Sequence, residues 1–168
     1  VVGGPVCSGG DVYRWLRDQV FDGKSSFDEL TELAKTINAG SDGLLFHPYL
    51  GGERAPLWDA NARGSFFGLN YRHTRAHMTR STLEGIILNL YMVALSLIEV
   101  TGELTQIQAT GGFTSSELWI QILADIFESP IAVPDRREAG CLGAIVMAEK
   151  ALGLVDDLSA VSKMGGTA

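Results

Sequence analysis

The sequence predicts an α/β domain built on a mixed sheet, and three observations carry that expectation. Segments of strand period and segments of helix period interleave in the order strand, helix, helix, strand, strand, helix, strand, helix, strand, helix. Paired glycines, Gly9-Gly10 and Gly111-Gly112, stand where an extended segment gives way to a helix, and a paired glycine leaves the backbone free to turn and open to a ligand. The composition is that of an ordinary globular protein, with 168 residues, 46% hydrophobic and 20% charged, enough for one well-cored domain.

Charge and composition narrow the partners. With 20 acidic against 13 basic residues the formal net charge is −7, so there is no basic surplus to neutralise a phosphate backbone. Nucleic acid is excluded as an expected partner, whereas an anionic small molecule is not. The longest apolar run, Gly85 to Val100, contains Asn89 and Ser96 and is bounded by Glu84 and Glu99, which reads as a buried core helix rather than a membrane span. Two cysteines, Cys7 and Cys141, are too few for a disulfide framework, and no signal-peptide pattern opens the chain. A reducing, cytoplasmic setting is expected. The opening Val1-Val2-Gly3-Gly4-Pro5 lacks a methionine and reads like the middle of a protein, so a fragment of a larger enzyme is expected.

Val1 to Val6 predicts a weak strand or an extended entry, followed by Ser8-Gly9-Gly10-Asp11 and a helix through Val12, Trp15, Leu16 and Val20, with Ser8 as its cap and Arg14 one turn in. Ser26 and Glu29 have capping-box spacing and open a second helix through Leu30, Leu33, Ala34 and Ile37, which Gly40 stops. Leu44 to Leu50 predicts a strand that feeds a long loop, Gly51 to Gly64, rich in charge and aromatics. Within that loop Asp59 and Arg63 are expected to pair, and Glu53 is a candidate general base without a visible partner. Ser65 to Leu69 predicts a short strand, and Thr74 a cap for the longest helix, from Arg75 to Val100. His73 and His77 have the separation of a helical zinc pair, but Thr74 as cap leaves His73 outside the helix and no third ligand is apparent.

Ile107 and Ala109 alternate with Gln108 and Thr110 at the strand period, and Leu118, Ile122, Leu123 and Ile126 recur at the helix period. The period changes across Gly111-Gly112, with Thr114 and Glu117 spaced as a capping box, so exposed N–H groups at this helix start are a candidate nucleotide or anion site. Ile131-Ala132-Val133 predicts a buried strand closed by Pro134. Asp135 to Glu138 predicts a solvated turn, and Ala139 onward a helix in which Cys141 is expected to be a small buried residue rather than a nucleophile.

Three separated motifs resemble the FGGY carbohydrate kinases. Gly64-Ser65-Phe66-Phe67-Gly68-Leu69 with His77-Met78 and Ser81-Thr82-Leu83-Glu84-Gly85 is similar to their C-terminal signature. Glu53-Arg54-Ala55-Pro56 with Trp58-Asp59 and Ala62-Arg63-Gly64 precedes it as in the sugar-acid and pentulose kinases. Thr110-Gly111-Gly112, Trp119 to Asp125, and Glu138 with Leu142-Gly143-Ala144 complete the match, and the loop together with Ala124 to Ser129 resembles gluconate kinases most closely.

The resemblance implies a ribonuclease-H-like, actin-like lobe over residues 1–155, a tail over 156–168, and an N-terminal sugar-binding lobe outside this chain. It implies ATP as co-substrate and phosphorylation of a sugar or sugar acid, foremost gluconate, with xylulose, ribulose or glycerol as alternatives. Gly10 and Arg14 match the helix start along the nucleotide phosphates and ribose, and Gly111, Gly112 and Ser116 match the adenosine contact. Arg14 departs from the glutamine of glycerol kinases. The catalytic base and the Mg2+ ligands are expected in the N-terminal lobe, so this chain is expected to carry neither a catalytic nor a metal residue. That lobe and a second copy of the chain are the candidate protein partners. Two readings of other classes stand beside this one: a non-catalytic actin-like nucleotide-binding module, and an interaction module that self-associates through the long helix.

Overall fold

A computed structural model describes residues 2–134 and 139–158 of the chain. Helix α1, Gly10–Trp15, continues as one π-helical stretch, Leu16–Val20. Helix α2, Phe27–Lys35, begins with the predicted capping box: Ser26 Oγ accepts from Glu29 N at 3.1 Å, and Ser26 N donates to Glu29 Oε2 at 2.7 Å. Strand β1, Leu45–His47, pairs antiparallel with β2, Ser65–Phe67, placing Phe46 opposite Phe66. Helix α3, Arg75–Thr101, runs through the middle of the molecule. Strand β3, Ile107–Gln108, pairs in parallel with β4, Ile131–Ala132, across helix α4, Glu117–Phe127. Helix α5, Ala139–Ala151, closes the order. Among the described residues the antiparallel and parallel pairings form two separate two-stranded sheets rather than one continuous sheet, with strands of two or three residues.

Helix α3 is the organising element because α2, α4 and β1 all pack on it. Leu83, Ile86 and Ile87 on α3 meet Leu16, Leu30, Phe46 and Ile122 in one buried cluster. Gly85 is required there: a Cβ at that position would collide with the carbonyl oxygen of Phe46, so only glycine lets the helix lie against β1. By length and composition alone α3 could cross a membrane, but its buried residues, Ala76 to Ala94, include Arg80, Glu84 and Asn89, all enclosed by the fold. Its second half leaves Leu88, Met92, Leu95 and Val100 exposed.

Several expectations are corrected. Of the two alternatives for the entry the strand is not formed by residues 2–6, where Ala55 N donates to Pro5 O at 3.0 Å. Gly9 rather than Ser8 stands at the N-cap of α1, because the Ser8 hydroxyl is turned inward to Glu53 and Pro48. Thr114 does not cap α4; its hydroxyl donates to Gly111 O at 2.7 Å inside a 3-10 turn, Gly112–Ser115, and Ser116 takes the cap by accepting from Trp119 N at 3.3 Å. Asp59 and Arg63 do not pair: Asp59 Oδ1 accepts from Asn61 N, while Arg63 Nη1 donates to the carbonyls of Ala60 and Ala62. Cys141 is exposed, and among the described residues of α5 the buried side chain is Val146. The turn expected over Asp135 to Glu138 and most of the tail expected over 156–168 lie outside the described residues.

Candidate functional site

A cavity of about 390 Å³ opens between the starts of α1, α2 and α4. That is within the size range of small-molecule sites. Gly10 and Arg14 line it from α1, and Gly112, Ser115 and Ser116 line it from the turn before α4. Four of the residues singled out in the sequence, Gly10, Arg14, Gly112 and Ser116, therefore face one space although about a hundred residues separate the two pairs. Gly111 is not among the lining residues; with φ of 104° it makes the bend that presents Gly112. Nothing lies within 4 Å of the point where a Cβ would stand on Gly10 or Gly112, so both expose bare backbone to open space.

The lining is also aromatic. Tyr13, Phe27, Phe113 and Trp119 line the cavity. The Tyr13 ring lies 5.2 Å from Phe27 and meets Trp119 edge-on at 5.5 Å, and Phe113 meets Trp119 edge-on at 5.6 Å. Such edge contacts fix ring planes. Tyr13 is held further by its hydroxyl, 3.1 Å from Thr31 Oγ1 and 3.3 Å from the Phe27 carbonyl. Burial pushes the Tyr13 phenol up, the bond to Thr31 opposes that and the nearby Asp28 carboxylate adds to it, so it stays protonated. Trp119 is 7% exposed, and its Nε1 is buried without a hydrogen-bond partner. Arg14 and Asp28 are the charged lining residues, and Arg14 is exposed.

The sequence reading missed this wall because each ring, taken alone, reads as core. The available signal was Tyr13, three residues after Gly10, and Trp119, three after Ser116, at positions that share a helix face with residues already chosen.

A polar cluster surrounds Glu53. Glu53, 3% exposed, accepts four hydrogen bonds: Cys7 N and Arg54 N at Oε1, both at 2.7 Å, and Ser8 Oγ at 2.9 Å and Asn89 Nδ2 at 2.7 Å at Oε2. Burial would raise this carboxyl, but the bonds outweigh it and hold it below the ordinary carboxylate range. Such a group is saturated and a poor general base. His73 and His77 lie with ring centroids 5.4 Å apart and their nitrogens engaged: Asn70 N donates to His73 Nδ1, Thr74 N to His77 Nδ1, and the Nε2 atoms face the carbonyl and carboxylate of Asp42. Among the described residues no three His, Cys, Asp or Glu side chains group as metal ligands.

The model of the C-terminal domain of the FGGY family of carbohydrate kinases matches residues 1–152. The chain belongs to this family. It is 51% identical to a gluconokinase of Bacillus subtilis over 177 aligned positions, covering 99% of this chain and 34% of that protein. The crystal structure of a gluconate kinase from Lactobacillus acidophilus superposes with a TM-score of 0.87 at 45% identity, covering 98% of this chain and 34% of that one. A ligand-bound structure described as a xylulose kinase from the same organism gives the same TM-score, identity and coverage. The chain thus spans about a third of the length of these relatives. The actin-like ATPase fold of these kinases is the fold class of this chain. In this FGGY domain the Glu84-Gly85 part of the signature has a structural explanation: Glu84 closes a buried ion pair and Gly85 admits the Phe46 carbonyl.

Proposed function

We propose that residues 1–155 form the ATP-binding lobe of a sugar-acid kinase that transfers the γ-phosphate of ATP to a hydroxyl of gluconate, giving 6-phosphogluconate, in a cytoplasmic enzyme. The observation that carries the proposal is the convergence of Gly10, Arg14, Gly112 and Ser116 on one cavity that Tyr13, Phe27, Phe113 and Trp119 also line. Adenosine lies against Gly112 and Ser116, where bare backbone permits close approach, and the phosphates extend toward Gly10 and Arg14, the cation at the rim. Ser116 still has its hydroxyl proton to donate while its oxygen caps α4. The gluconokinase and gluconate kinase relatives support gluconate as the acceptor. Xylulose is the second reading, supported by the equal likeness to the structure described as a xylulose kinase.

Asp28 is the one carboxylate lining the cavity, and among the described residues no cluster of three metal-ligating side chains exists. In this proposal the base that deprotonates the sugar and the main Mg2+ ligands belong to an N-terminal lobe. Phosphoryl transfer relies mainly on positioning and charge neutralisation, so this lobe supplies the placed nucleotide and the other supplies the acceptor.

Calorimetric titration of the chain with ADP, ATP and adenosine tests the nucleotide site. Saturable one-to-one binding of ADP is expected, and no binding of any of the three overturns the proposal. A sugar and sugar-acid screen on a full-length kinase carrying this lobe tests the acceptor; preference for a sugar other than gluconate overturns that part.

A further inference from the structure

Among the described residues no cationic side chain pairs with the enclosed Glu53 carboxylate, although burying an ionised group is costly unless something compensates. Its compensation is four donors, three from two distant segments and one, Arg54 N, from its own loop. Cys7 and Ser8 lie 46 and 45 positions away in sequence, and Asn89 on α3 lies 36 away. The segment reached by Cys7 and Ser8 runs straight into the cavity wall: Gly9 N donates to Asp11 Oδ1 at 3.0 Å, Val12 N donates to Gly9 O at 3.1 Å, and Gly10 and Arg14 line the cavity. On its other side Glu53 is clamped into the long loop by a reciprocal backbone bridge with Asp59, both bonds at 2.9 Å.

Resting on the nucleotide reading above, we infer that Glu53 is a positioning residue of the nucleotide site, tying the Cys7–Gly10 turn to α3 and the long loop so that Gly10 and Arg14 stand where nucleotide phosphates pass. An apolar residue could fill the same volume, but it would leave two backbone N–H groups and an amide without acceptors, and the Ser8 hydroxyl with only the Pro48 carbonyl. The carboxylate is chosen because its two oxygens together satisfy all four.

Glu53→Gln tests this. A carboxamide offers one acceptor oxygen, so with the Cys7 and Arg54 N–H groups still served its NH2 faces the donors of Ser8 and Asn89, and the turn loses its charged anchor. The expected result is a rise in the Kd for ADP of roughly tenfold, with the Kd for adenosine, which has no phosphate, changed less than about twofold. Adding Asn89→Asp puts an acceptor opposite the new NH2 group and is expected to restore most of the ADP affinity. Should Glu53→Gln fail to fold, Ser8→Ala removes one link and leaves the carboxylate three donors; the same ADP-selective loss, smaller in size, is expected. Equal loss for ADP and adenosine, or no loss for either, overturns the inference while leaving the nucleotide site intact. A wild-type chain that binds neither ligand overturns the site itself and the inference with it.

Discussion

Arg80 and Glu84 stand one turn apart on α3 and meet with Arg80 Nε 2.6 Å from Glu84 Oε1, both side chains about nine-tenths enclosed. Glu84 continues outward: Gly40 N donates to Oε1 at 3.0 Å and the Ser41 hydroxyl donates to Oε2 at 2.9 Å. The pair therefore pins the turn after α2 to the central helix. Removing one partner of a buried pair strands the other charge, so Glu84→Ala is expected to cost about 3 kcal/mol or more in urea unfolding. Replacing both as Arg80→Met with Glu84→Leu is expected to cost less than that single change, because no bare charge remains. A double variant less stable than Glu84→Ala would show that the links to Gly40 and Ser41 dominate.

Gly112→Val separates binding from folding at the proposed site. Gly112 does not need a positive φ, and no atom lies within 4 Å of its virtual Cβ, so the side chain enters open cavity without straining the backbone. Its melting temperature is expected to stay within a few degrees of wild type, whereas ADP affinity falls about tenfold or more as branched methyl groups occupy the adenosine space. Unchanged ADP affinity would remove Gly112 from the site. The same experiment at Gly111 is less informative, since φ of 104° makes any side chain there a folding problem first.

Local chemistry explains which parts of this fold and site were legible in the sequence. The box of Ser26 and Glu29 could be read because spacing alone determines it and nothing nearby competes for either side chain. The same spacing misled at Thr114 and Glu117, because a 3-10 turn inserts between the glycines and α4 and offers Thr114 the Gly111 carbonyl instead. Gly10, Arg14, Gly112 and Ser116 stood out by glycine pairing and family likeness, but the aromatic wall depends on Tyr13, Phe27 and Trp119 meeting across long stretches of chain. Glu53 shows the same limit: a charged loop residue looked like a free base, and only the fold brings Cys7, Ser8 and Asn89 to it.

The Glu53 cluster predicts an acid-sensitive component of stability. Its folded-state pKa lies below the ordinary value, so its stabilising contribution is complete above the unfolded value of about 4.3 and is lost as pH falls through the lower folded value. Urea midpoints measured from pH 7 down to pH 3 are expected to fall on the acid side for wild type, and to fall less steeply for Glu53→Gln, which starts lower but has no proton to gain there. Parallel acid limbs for the two proteins would assign the acid sensitivity to other carboxylates.

Separation of the two halves of the proposed chemistry predicts binding without turnover. The cavity holds Arg14 to meet phosphate, but the nearest candidate bases fail: Glu53 is saturated by four donors, and Asp28, at the start of α2, lines the same cavity that the nucleotide would fill. Without a base and metal ligands facing the γ-phosphate, the chain is expected to bind ADP and ATP yet phosphorylate neither gluconate nor xylulose above the uncatalysed background. A coupled ADP-release assay at saturating ATP, with each sugar in turn, measures this directly. Sugar-dependent ADP release by the purified chain, abolished by Gly112→Val, would place the whole reaction within these residues and overturn the division of labour between lobes.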